Sequence, residues 1–67
     1  MNKYIVNIKS LDGYSEVRIF RAKDNIDLEN KVREFTKYSL LNLDGFRYSL
    51  LDDFIRSGDL IGTYVEY

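Results

Sequence analysis

Residues 3–22, Lys3-Tyr-Ile-Val-Asn-Ile-Lys-Ser-Leu-Asp-Gly-Tyr-Ser-Glu-Val-Arg-Ile-Phe-Arg-Ala22, decide how this chain folds. Two runs rich in β-branched and aromatic residues, 3–11 and 14–22, flank Asp12-Gly13. Asp-Gly in that setting predicts a hairpin, because a two-residue type I′ turn needs positive φ at both central positions. Such a loop sets the register: Leu11 opposite Tyr14, Lys9 opposite Glu16, Ile8 opposite Val17, Val6 opposite Ile19 and Ile5 opposite Phe20. The opposite charges of Lys9 and Glu16 favour it. On this register Tyr4, Val6, Ile8, Val17 and Ile19 form the core face. Ile5, Leu11, Tyr14, Arg18 and Phe20 fall on the other face, among Lys3, Asn7, Lys9 and Glu16.

Working outward, residues 23–38 predict a helix. Asp24 is a good N-cap, and Asp27 stands where a capping box places its acid. Leu28, Val32, Phe35 and Ser39 fall on one helical stripe. Asp27–Lys31, Glu29–Arg33 and Glu34–Lys37 are acid-before-base pairs on the solvated faces. Asn42–Gly45 reads as a turn, with room for a short strand at Phe46–Tyr48. Ser49–Gly58 predicts a second, short helix, with Ser49 as its cap and Gly58 just past its end. Leu60–Tyr67 predicts a third strand, with Ile61, Thr63 and Val65 facing inward. The expected fold is an α+β two-layer β-β-α-α-β sandwich. Its three-stranded, mostly antiparallel sheet carries both helices on one face.

The chain has 67 residues, which makes one small domain, 1–67, of marginal stability alone. With no Cys and no His it has neither disulfides nor the usual zinc ligands. Six Tyr and four Phe make a packed core credible. Met1–Asn7 is too polar for a signal peptide, and no apolar run is long enough to span a membrane. The expected location is cytoplasmic, which also fits the lack of Cys.

Chemistry is hard to build from these residues. A Ser nucleophile needs a base, usually His, and there is none. Asp52 and Asp53 are adjacent on a helix and diverge, so they do not make a carboxylate pair across a cleft. The spacing of Asp44, Asp52, Asp53 and Asp59 matches no EF-hand, and no Gly-rich phosphate loop occurs. The expectation is a protein with no enzymatic activity, no cofactor and no metal.

Charge is uneven. Residues 1–43 hold eight Lys/Arg against six Asp/Glu, whereas 44–67 hold two against five, on a chain of net charge −1. The acidic half also carries Tyr48, Tyr64 and Tyr67. The expected function is therefore a protein–protein interaction module. Asp52, Asp53, Asp59 and Glu66, with Tyr48 and Tyr64, would dock on a larger, basic host protein, including a nucleic-acid-binding one. In its short, Cys-free, Lys/Asn/Ile/Tyr-rich composition the chain resembles products of phage and other mobile elements, among them anti-restriction and anti-CRISPR inhibitors. That likeness implies an inhibitor or regulator.

The uncovered face of the hairpin is expected to be a second surface. Ile5, Leu11, Tyr14, Arg18 and Phe20 on it suit a symmetric homodimer. The alternative function is single-stranded nucleic-acid binding on the same face, bases stacking on Tyr14 and Phe20 while Lys3, Lys9 and Arg18 hold phosphates. Glu16 in the middle of that face and the acidic chain weigh against it.

Overall fold

The computed structural model of the chain describes residues 1–60 and 64–66. Its elements run β1 (Asn2–Ser10), β2 (Ser15–Ala22), α1 (Asn25–Tyr38), β3 (Leu43–Leu50), α2 (Leu51–Ser57) and β4 (Tyr64–Glu66). The fold is α+β with an antiparallel sheet and two helices, as expected. The sheet has four strands rather than three, in the order β2-β1-β3-β4, and the element order is β-β-α-β-α-β. The added strand is β3. Of the strand predicted over 60–67, positions 61–63 and 67 lie outside the described residues.

The hairpin forms on a register one residue away from the predicted one. Tyr4 pairs with Phe20, Ile5 with Ile19, Val6 with Arg18 and Ile8 with Glu16. The turn is longer by one residue. Ser10 and Tyr14 close it through Ser10 N–H to the Tyr14 carbonyl at 2.8 Å, with Gly13 N–H bonded to the Ser10 carbonyl at 3.2 Å. Gly13 takes φ 90°, the left-handed residue that ends a three-residue hairpin loop. The Ser10 hydroxyl completes the turn, donating to Asp12 Oδ1 and accepting the Tyr14 N–H at 3.0 Å.

A one-residue slip turns every side chain of β2 to the other face. Tyr4, Val6 and Ile8 now share a face with Phe20 and Ala22 from β2 and with Phe46 and Tyr48 from β3. α1 closes over that face with Leu28 and Val32. Val6, Ile8, Leu28, Val32 and Phe46 are fully buried, each worth about 1.5–3 kcal/mol of apolar burial. Phe20, expected on the open face, is tucked beneath Phe35. Val17 and Ile19, expected in the core, are 55% and 59% exposed on the reverse face.

Local signals around α1 work as predicted. The Asp27 N–H donates to Asp24 Oδ1 at 2.8 Å, and Asp27 Oδ2 reaches back to the Lys23 N–H at 2.9 Å. The Asp27–Lys31 ion pair forms at 3.4 Å. The buried stripe is Leu28, Val32 and Thr36, with Phe35 partly buried and Ser39 exposed as the C-cap. At α2, Gly58 ends the helix in the left-handed region as expected, but Leu50 rather than Ser49 is the N-cap, without a side-chain bond.

Candidate functional site

The acidic residues cluster on and just beyond α2. Asp52 and Asp53 occupy its first turn, where carboxylates suit the positive end of a helix. Both are exposed; Asp53 accepts from Arg56 Nη2 at 2.9 Å. Asp59 follows in an exposed turn, its N–H bonded to Ser57 Oγ at 3.2 Å. α2 buries none of its side chains fully, and Ile55 is 68% exposed. Acids and a solvent-facing isoleucine therefore share one short helix.

The tyrosines expected beside those acids are elsewhere. Tyr48 lies on the α1 side of the sheet, edge-on to Tyr4 at 5.9 Å and tilted against Phe46 at 6.0 Å. Burial pushes its phenol pKa up, with further contributions from Glu29 of α1 and from Tyr4. Tyr64 in β4 donates to Asp44 Oδ2 at 3.2 Å, and Lys9 Nζ lies 5.9 Å from its ring centroid. Glu66 pairs with Gly45 through the backbone. Asp52, Asp53 and Asp59 are exposed along α2 and the turn that follows it.

The residues expected on one sheet face are dispersed. Ile5 is on the reverse face but only 8% exposed. Leu11 and Tyr14 belong to the hairpin end. Leu11 lines a groove with Thr36, Leu41 and Leu43, at the C-terminal end of α1. Arg18 and Phe20 are on the α1 side: the Arg18 guanidinium stands 4.5 Å from the Phe35 ring centroid, and its Nε donates to Glu16 at 3.2 Å. These five residues therefore do not share one face of the sheet.

The corrected register creates a surface that the sequence pattern hid. The reverse face carries Lys3, Lys9, Arg21 and Arg47 on its strands, around Asn7, Val17 and Ile19. Glu16 has left it, and the acid that reaches it is Asp44, at the bulge of β3, which accepts from Tyr64 Oη. Ile5 and Ser49 pair across β1 and β3 on this face and are buried, and α2 packs against the same two strands. Leu60 meets Asn7, Lys9 and Arg47 there. Asn7 Oδ1 and Ser49 Oγ are buried without a hydrogen-bond partner among the described residues.

Among the described residues, no three His, Cys, Asp or Glu side chains gather as a metal site requires. No described helix is long and apolar enough to cross a membrane. Comparison with protein-family models, curated proteins and solved structures finds no match to this chain.

Proposed function

We propose that the chain is a small, non-enzymatic protein–protein interaction module that docks on a larger protein through α2 and the turn after it. One observation carries this reading: α2 presents Asp52 and Asp53 with the exposed Ile55, Asp59 follows in the exposed turn, and the helix buries no side chain of its own fully. Apolar side chains rimmed by charge of one dominant sign suit association with a surface of opposite sign. The partner that fits is a basic protein, such as one that binds nucleic acid, with this chain as its inhibitor or regulator. What supports the anti-restriction or anti-CRISPR class is composition alone.

We read the two helices as lying on opposite sides of the sheet, in place of a single helix layer. Two observations support this: no α2 side chain joins the cluster under α1, and Ile5 and Ser49 are buried where α2 meets β1 and β3. α2 then stands clear of the core and free to be covered by a partner.

The test is capture of a host protein by the tagged chain, compared with Asp52→Lys/Asp53→Lys and with Ile55→Asp. Both variants should keep the circular dichroism of the parent and lose the captured protein. Undiminished capture by both would remove α2 from the function.

The reverse face supports a second reading, single-stranded nucleic-acid binding, because Glu16 no longer interrupts its cations. Lys3, Lys9, Arg21 and Arg47 would hold phosphates, and Tyr64 beside Lys9 offers one ring. A labelled oligonucleotide should then bind at low salt and dissociate as salt rises. Absence of binding at low salt eliminates it.

A further inference from the structure

We propose that the free edge of β2 takes a second copy of this chain. The two β2 strands pair antiparallel about a two-fold axis at Val17 and join both sheets into one. β2 ends the strand order, so among the described residues one row of its backbone groups has no strand beside it. The hairpin tells which row. Ser10 N–H bonds to the Tyr14 carbonyl, so Tyr14 and the even-numbered residues of β2 aim their groups at β1. The groups of Ser15, Val17, Ile19 and Arg21 therefore point outward. The Arg21 carbonyl is already taken by Lys31 Nζ at 2.7 Å. Ser15, Val17 and Ile19 are left.

These three residues select a register. A two-fold pairing of identical edges keeps like faces together. Centred on Ile19 it needs Arg21 opposite the partner's Val17, where Lys31 stands. Centred on Arg18 it needs Arg21 again and sets Arg18 against the partner's Arg18. Centred on Val17 it uses only the free groups, with Ser15 opposite the partner's Ile19 and Val17 opposite the partner's Val17. That same register sets Glu16 opposite the partner's Arg18, twice by symmetry, and such cross-strand pairs stabilise. It also gathers the exposed Val17 and Ile19 of both copies into one apolar strip. Solitary edges are commonly guarded by charge, Pro or a bulge; β2 has neither Pro nor Lys, its charges Glu16 and Arg18 are complementary across this register, and Lys31 of α1 covers its Arg21 end.

The inference is independent of the α2 docking reading, since α2 packs chiefly against β1 and β3. About six backbone hydrogen bonds and four aliphatic side chains make a small interface, so a dissociation constant on the order of 10–100 µM is expected.

Sedimentation equilibrium of the full chain, up to several hundred micromolar (roughly ten times that constant), tests it. The chain should dimerise. Glu16→Arg should weaken the dimer about tenfold, by placing like charges opposite each other at two sites. Glu16→Arg/Arg18→Glu should restore it to within about threefold. Val17→Pro removes an outward N–H and should abolish association while sparing the β1 ladder. A chain that stays monomeric, a dimer indifferent to Glu16→Arg, or a double variant no tighter than the single one overturns the proposal, whether or not Val17→Pro folds.

Discussion

Phe20 meets Phe35 edge-on, ring centroids 5.9 Å apart and planes at 80°, and this contact ties the edge strand β2 to α1. The neighbouring Ile19 points the other way and is 59% exposed. Phe20→Ala is therefore expected to lower stability by about 2–3 kcal/mol, somewhat less than removal of a fully buried ring. Ile19→Ala should cost less than about 1 kcal/mol. Urea denaturation at low micromolar protein, with m held constant, makes the comparison. Equal losses, or the reverse order, would contradict the register that pairs Tyr4 with Phe20.

Leu40 follows the C-cap of α1 at φ 56°, in the left-handed region, and its side chain is 89% exposed. The bonds around it are those of a Schellman motif: Leu41 N–H to the Thr36 carbonyl at 3.1 Å and Leu40 N–H to that of Lys37 at 3.3 Å. Glycine suits this position, since an L side chain there costs about 1–2 kcal/mol. The greater freedom of Gly in the unfolded chain offsets part of that gain. Leu40→Gly should stabilise the fold by about 0.5–1 kcal/mol, raising the melting temperature by a few degrees. An unchanged or lowered melting temperature would show that Leu40 contributes packing which its exposure conceals.

Asp27 should govern part of the acid limb. The Lys23 N–H holds its carboxyl below the usual range, with Lys31 adding to the effect against a smaller opposing desolvation. A carboxyl depressed in the folded state stabilises above its unfolded pKa, about 3.9, and that contribution disappears as pH falls through the folded value. Asp27→Asn should thus melt below the parent at pH 7, and the difference should shrink toward pH 2. Parallel melting curves for the two proteins across that range would dissociate Asp27 from acid stability.

How much of this was legible in the sequence differs by element. α1 was read nearly whole, because Asp24, Asp27 and the Leu28/Val32 stripe act within one or two turns of the chain. β3 was hidden by Asp44-Gly45, residues that strands disfavour and turns prefer. The structure supplies the reason for the glycine: a Cβ there would stand 2.5 Å from the Val65 carbonyl and 2.6 Å from Tyr64 Oη. Gly45 admits β4, and that need is invisible until β4 is in place. The register failed for a related reason. Asp12-Gly13 serves a two-residue loop and a three-residue loop equally, and the choice rests on tertiary packing: Phe20 fills the space under Phe35, which Ile19 would otherwise face. With β2 turned over, the dimer face read from the hairpin dissolved. The acidic residues of α2 depended on no register and remained a surface.

Ser49 separates the local reading from the tertiary one most sharply. A serine one residue before a short helix is expected to cap it, and Ser→Ala at a cap costs about 1 kcal/mol. Here Leu50 holds the cap position, and Ser49 instead pairs with Ile5 in the sheet, its Oγ buried and unpartnered among the described residues. Removing an unsatisfied buried hydroxyl breaks no bond and relieves its desolvation, a penalty of about 1–3 kcal/mol for such a group. Ser49→Ala should therefore leave stability unchanged or raise it by up to about 1 kcal/mol, part of the relief being lost to the small void left behind. Chemical denaturation decides between the two roles. A loss near 1 kcal/mol would restore Ser49 to the cap, whereas neutrality or a gain keeps it in β3, opposite Ile5.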